Sequence, residues 1–164
     1  MTDAVETPSR ITLEREGAVL LIGLNRPDKR NAADFAMLQQ LAIAYAELEN
    51  DPDLRAGFVF AHGDHFTGGL DLADVGPRLG PDGLDVVPNG GLHPWQVNGQ
   101  LLSKPVVMAV QGTCLTLGIE LMLASDIVVA ADSASFAQIE VARGILPFGG
   151  ATIRLPRLGW GDAM

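Results

Sequence analysis

The segment 104–133, KPVVMAVQGTCLTLGIELMLASDIVVAADS, constrains the fold more than any other part of the chain. It holds two short runs, PVVMAV and DIVVAA, in which apolar residues follow one another without alternation. A strand with one wet face alternates polar and apolar residues. Both runs read as strands, and two strands joined through a helix at this spacing run parallel. Parallel neighbours need a crossover of about a dozen residues or more, usually a helix. TCLTLGIELMLAS supplies it as a turn followed by a helix. The expectation is a strand–helix–strand unit of an α/β fold.

The rest of the chain agrees with that class. ITLEREGAVLLIGL (11–24) reads as two short strands around Glu16-Gly17, a hairpin signal. NRPDKRNA (25–32) is a polar, Pro-containing loop, after which Asn31 or Asp34 is placed to cap a helix. That helix, DFAMLQQLAIAYAELEND, sets Phe35, Leu38, Leu41, Ile43, Tyr45 and Leu48 mostly three and four residues apart, and Asp51-Pro52 ends it. AGFVFAHG (56–63) is a further buried strand, and DHFTGGLDLADV is a Gly-Gly turn with a short helix. Residues 76–100 are rich in Gly and Pro, and a loop of that length is expected to be a lid, a binding segment or disordered. SFAQIEVARGILPFGG predicts short extended structure, a helical turn around Glu140 and a Gly/Pro loop. LGWGDAM reads as a helix start with Asp162 as N-cap. One core domain over 11–164 behind a flexible stretch 1–10 is the expected organisation.

Composition narrows the function classes. Eleven basic against twenty acidic residues give a net charge of −9, with no long basic run, which argues against nucleic acid or an anionic membrane as partner. A local cationic site for a phosphorylated small molecule is still open. The one cysteine, Cys114, rules out an intramolecular disulfide and sits among small and apolar neighbours, as a buried inert thiol would. His62, His65 and His93 are too few and too scattered for a metal site, so none is expected. The start MTDAVETPSR lacks the pattern of a signal peptide, and the longest apolar runs are too short to span a bilayer. The expectation is a soluble, cytoplasmic protein.

Two carboxylates stand in the most apolar third: Glu120 in LGIELML and Glu140 in SFAQIEVARG. By spacing alone, Glu120 can sit on the wet face of a short helix and Glu140 can pair with Arg143. A catalytic reading needs a holder for an electrophile nearby. The turns FTGGLDL (66–72) and CLTLGIE (114–120) each follow a strand, and such turns leave backbone N–H groups unpaired. One N–H from each makes an oxyanion hole, and glycines at 68, 69 and 118 permit the required backbone angles and close approach.

FTGGLDL, KPVVMAVQGTCLTLGIELMLASDIVVAADSASFAQIEVARGILPFGG, TIRLPRLG and LNRPDKRNA, in this order and spacing, resemble the enoyl-CoA hydratase/isomerase family, the crotonases. The resemblance covers residues 11–72 and 102–160 and is weak between them. It implies a crotonase-like spiral of ββα units, with the family's C-terminal helical part lying beyond Met164, and a homotrimer or dimer of trimers. It places the two oxyanion N–H groups on Leu70 and Leu117 and the acid/base pair on Glu120 and Glu140. It puts Lys29, Arg30 and Ala32 near the adenine and phosphate end of coenzyme A, with Gly68, Gly69, Leu70, Asp71 and Gly118 along the thioester's path. The implied partner is an acyl-CoA thioester, with no separate cofactor, because coenzyme A is part of the substrate. The implied reaction is addition of water across the α,β double bond. Isomerisation using mainly Glu140 and a non-catalytic acyl-CoA-binding protein are the alternatives. Three departures bear on the choice. TLG stands where the family commonly has three glycines, Ile139 replaces the usual proline, and PFGGAT varies PGxGGT. The 76–100 loop, with His93 and Trp95, is expected either to help form the acyl pocket or to be a disordered surface lid.

Overall fold

Gly17, at φ 58°, turns the chain back on itself and sets the first hairpin. In the computed structural model, which describes residues 9–80 and 84–158, β1 (Ile11–Glu16) pairs antiparallel with β2 (Val19–Leu24), Glu16 opposite Val19. Asp34 then caps α1 (Phe35–Asn50), its side chain accepting the Met37 N–H at 2.9 Å. Asn31, the other candidate cap, is used elsewhere. The chain continues through β3 (Ala56–Ala61), α2 (Leu72–Val75), β4 (Val106–Val110), β5 (Thr113–Leu115) and α3 (Leu117–Leu123). It ends in β6 (Ile127–Ala130), β7 (Ser135–Ala137) and α4 (Ala151–Arg154).

The main sheet has the order β1-β2-β3-β4-β6, and all its pairings after the hairpin are parallel. β4–α3–β6 is the crossover unit expected from the apolar runs. Strand–strand–helix recurs as β1-β2-α1, then as β4-β5-α3, and β6-β7 leads into a 3-10 turn over Glu140–Arg143. Each later repeat contributes one strand to the main sheet and one to a second, smaller sheet.

The core lies between α1 and the sheet. Met37, Leu38, Leu41, Tyr45 and Leu48 of α1 are buried, as are Leu20 and Ile22 of β2, Val59 of β3 and Met108 of β4. Burying each such side chain contributes about 1.5–3 kcal/mol. The seat of the helix is Gly57, where an added Cβ would lie 2.6 Å from Leu48 Cδ2.

Two expectations change. Residues 113–115 were expected in a turn, yet they form β5, paired parallel with β7. Three residues are too short for a readable alternation, and only pairing with a distant segment makes them a strand. The long Gly/Pro loop is not a surface lid. Val86, Leu92 and Trp95 are buried in the core, and the Leu92 N–H donates to the Ala42 carbonyl at 2.9 Å. Apolar side chains spaced through the segment pin it down despite its turns. At the N-terminus, Arg10 is tied to α1, its N–H donating to Gln40 Oε1 at 2.7 Å, whereas residues 1–8 lie outside the described residues. The Asp162 cap also lies outside them. Among the described residues no helix is long and apolar enough to cross a membrane.

Candidate active site

The small sheet builds the site. Thr67 bridges to Cys114, and Cys114 pairs with Phe136 in the β5–β7 register. The chain leaves all three partners in the same direction, because both pairings are parallel. Three residues beyond them stand Leu70, Leu117 and Ile139, with Glu140 next in line. Hydrogen bonds lock the turns together: Leu115 N–H to the Thr67 carbonyl (3.0 Å) and Thr116 N–H to the Ala137 carbonyl (3.1 Å).

The Leu70 N–H is left without a partner by its own strand geometry. The Ala33–Leu70 bridge runs from Ala33 N to the Gly69 carbonyl (2.8 Å) and from Asp71 N to the Ala33 carbonyl (2.9 Å). In a parallel bridge the residue between those two groups directs its own N–H to the other side. Leu117 opens α3, where N–H groups have no intrahelical acceptor. Neither N–H donates to another group among the described residues. Thr116, just before Leu117, has φ 48° and ψ −110°. Glycine favours that region and a β-branched residue rarely enters it. Here a threonine holds that backbone angle without a glycine.

Leu70, Leu117, Glu120 and Glu140 line one cavity of about 330 Å³, with Leu72, Ile139, Ile145 and Phe148 as its apolar wall and Arg143 at its edge. Glu120 is 2% exposed and Glu140 8%. The Glu120 carboxylate accepts the Ala151 N–H at 3.1 Å. Burial raises its pKa above the ordinary value and the Glu140 charge adds to this, while the Ala151 hydrogen bond opposes it. Burial also raises Glu140. Gln138, with its amide nitrogen turned towards acceptors, donates to both Glu140 oxygens at 3.1 Å and to the Thr116 carbonyl at 3.3 Å. Two buried carboxyls that both resist ionisation can exchange protons with a bound molecule, which two solvated ones do poorly. Glu140 makes no ion pair with Arg143.

The other residues singled out in the sequence sit around this centre. Gly68 lines the cavity, and its N–H donates to the Arg30 carbonyl at 2.7 Å, which places the Pro27–Lys29 turn beside it. Lys29 and Arg30 are exposed and, with Ala32, lie outside the cavity wall. Gly69 (φ +94°) faces Thr116. Gly118 packs on Thr67 and Cys114, where a Cβ would meet Thr67 Cγ2 at 2.4 Å. Asp71 is paired with Arg26 (2.7 Å), whose hydrogen bond holds its carboxyl below the ordinary value. The Cys114 thiol is buried and pushed up to about 12, an inert group.

Three supporting residues are not evident from sequence reasoning. Asn31 is fully buried at φ 51°, accepts from Arg26 N and donates to the His62 and His65 carbonyls. Thr67 Oγ1 donates to the Asn31 carbonyl and accepts from Gly69 N. Trp95 Nε1 donates to the Leu117 carbonyl. For Asn31, its place after a Pro-containing turn is a usable signal, as asparagine tolerates the left-handed region. Thr67 carries no local signal, and Trp95, singled out within its loop, gives none for this particular contact.

Comparison with known proteins identifies the family. The family model for enoyl-CoA hydratase/isomerase matches residues 14–164. Enoyl-CoA hydratase EchA19 of Mycobacterium tuberculosis is 33% identical over 157 residues, covering 93% of this chain and 58% of the relative. Carnitinyl-CoA dehydratase of Escherichia coli is 37% identical over 147 residues, covering 89% of this chain and 55% of the relative. The crystal structure of a probable enoyl-CoA hydratase/isomerase from Mycobacterium abscessus superposes with a TM-score of 0.89 at 56% identity, over 94% of this chain and 60% of that one. The chain thus spans 55–58% of the length of these curated relatives. In motif order, in the stacked turns of the small sheet and in overall superposition, the chain belongs to the enoyl-CoA hydratase/isomerase family, the crotonases.

Proposed function

We propose that the cavity binds the acyl end of a coenzyme A thioester and that the protein adds water across its α,β double bond. The observation that carries this is the shared wall: two buried glutamates line one cavity with Leu70 and Leu117, whose backbone N–H groups have no acceptor among the described residues. The thioester carbonyl accepts from the Leu70 and Leu117 N–H groups. They stabilise the enolate oxygen as charge develops there, a contribution of about 3–4 kcal/mol for one such donor. Glu120, ionised, takes a proton from water as the water oxygen bonds to the β-carbon. The π electrons of the double bond move to the enolate. Glu140, protonated, then delivers its proton to the α-carbon as the carbonyl reforms. Glu120 ends protonated and Glu140 ionised, and a proton passing from one to the other resets the site. Raised pKa values suit both roles, since each carboxyl holds a proton during part of the cycle. The proposed chemistry moves only protons and a C–O bond, and coenzyme A enters as part of the substrate.

In this reading Lys29 and Arg30 receive the phosphate end of coenzyme A, next to Gly68. Assembly as a homotrimer or dimer of trimers would cover exposed apolar side chains such as Val129, Val141, Leu146 and Ile153. Light scattering measures it directly.

Loss of the enoyl absorbance of crotonyl-CoA tests the reaction. Glu120→Gln and Glu140→Gln should each slow it by about 10²–10⁴-fold. Unchanged rates in both variants would refute the two-glutamate mechanism. Migration of a 3-enoyl-CoA double bond that depends on Glu140 but not Glu120 would establish the isomerase instead. Binding of both thioesters without turnover would establish an acyl-CoA-binding protein.

A further inference from the structure

The segment 84–100 stays out of the cavity wall, yet it touches both arms of the site. Trp95 is 3% exposed, and its Nε1–H donates to the Leu117 carbonyl at 2.9 Å, out of reach of competing water. Leu117 follows Thr116, whose backbone occupies a region that β-branched residues rarely adopt. Such a conformation persists only when its surroundings over-determine it. Two bonds do so here. The Thr116 N–H is held by the Ala137 carbonyl on one side of the turn, and the Leu117 carbonyl is held by Trp95 on the other. The same indole backs the second arm. A Cβ on Gly149 would lie 2.7 Å from Trp95 Cδ1 and 2.6 Å from Glu120 Oε2, so the ring and the carboxylate both close against the Gly149 backbone on the side where a side chain would stand. Arg154 clamps the arrangement, donating to the Gly149 carbonyl and to the Gln96 carbonyl, each at 3.1 Å.

We infer that Trp95 is a positioning residue for the reaction. Through the Leu117 carbonyl it holds Leu117, and the N–H that residue carries, in place at the cavity wall. The stretch 93–96 is therefore the backing of the site. The inference rests on the thioester reading of the cavity, and its test separates the two.

Trp95→Phe keeps the ring and deletes the N–H. In the full-length protein without ligand, amide hydrogen exchange over Leu117–Leu121 should quicken by about tenfold, the loss of one net hydrogen bond. With cinnamoyl-CoA, the red shift of the conjugated thioester on binding reads carbonyl polarisation. The variant should lose at least about half of it while Kd stays within roughly threefold. With crotonyl-CoA, kcat should fall by about 10–100-fold with KM little changed, as expected when a transition-state interaction alone is weakened. Unchanged exchange, red shift and kcat overturn the inference. So does a lowered Tm with red shift and kcat retained, which marks a purely structural tryptophan. If the wild type neither shifts nor turns over a thioester, the functional reading fails, and the ligand-free exchange still decides whether Trp95 holds the turn. Should Trp95→Phe fail to fold, Arg154→Gln releases Gln96 from the Gly149 turn. It should reduce red shift and kcat in the same direction, and no reduction overturns the inference.

Discussion

Gly69 and Thr116 touch across the two turns that carry Leu70 and Leu117, and a double-mutant cycle can measure that contact. A Cβ on Gly69 would lie 2.6 Å from Thr116 Oγ1 and 3.8 Å from its Cβ and Cγ2. Gly69 has φ +94°, so Gly69→Ala adds left-handed strain of about 1–2 kcal/mol. The smaller entropy of the unfolded chain returns about 0.4–1 kcal/mol. The steric overlap adds about 1–3 kcal/mol, because a β-branched threonine has few rotamers into which it can turn away. The sum is a destabilisation of about 1–5 kcal/mol. For a chain of this size that lowers Tm by roughly 2–4 °C per kcal/mol. Thr116→Gly relieves the strain at φ 48° and removes Oγ1. Alone it should be neutral or stabilising by about 1 kcal/mol, as relieved strain outweighs the added freedom of a glycine. In the double variant the overlap is gone, so the two changes should couple by about 1–3 kcal/mol in urea unfolding. Additivity within about 0.5 kcal/mol would refute the reasoning, for the turns would then not meet through these side chains.

Asn31→Ala strands Arg26 N and the His62 and His65 carbonyls at a fully buried position, and should cost about 3 kcal/mol in the same assay. A loss below about 1 kcal/mol would show that water replaces the side chain. Glu120→Gln should remove activity yet stabilise the fold at neutral pH. A carboxyl whose pKa is raised by folding binds its proton more tightly in the native state, so its charged form subtracts stability as pH rises through the folded value. Glutamine can still accept the Ala151 N–H without carrying the buried charge. The gain in Tm should be present at pH 7.5 and fade towards about pH 4, where the wild-type carboxyl is protonated in both states. A wild type more stable than the variant at pH 7.5 would contradict the burial argument.

The parts of the fold legible in the sequence are those written in local pattern. The unbroken runs at 106–110 and 127–130 mark parallel strands, the first buried at alternate residues and the second largely exposed, with Ile127 and Val129 facing out; the three- and four-residue spacing marks α1, and Glu16-Gly17 marks the hairpin. Glu120 and Glu140 are conspicuous because carboxylates among apolar neighbours need a reason. That both are buried and line one cavity is decided by the structure. β5 was not legible, since three residues hold no period, and neither was the inward packing of Val86, Leu92 and Trp95 within a Gly/Pro-rich stretch.

By itself the sequence determined the α/β class and the main elements, because those follow from side-chain character read over a few neighbours, and it singled out two carboxylates among apolar neighbours to which the family resemblance gave a candidate role. Only the tertiary structure decided that Leu70, Leu117 and Glu140 share a wall. That depends on the register Thr67–Cys114–Phe136, set by backbone hydrogen bonds between segments far apart in the chain. A slip of one residue would turn every side chain of the small sheet to its opposite face, and nothing in the short strands themselves encodes which register holds.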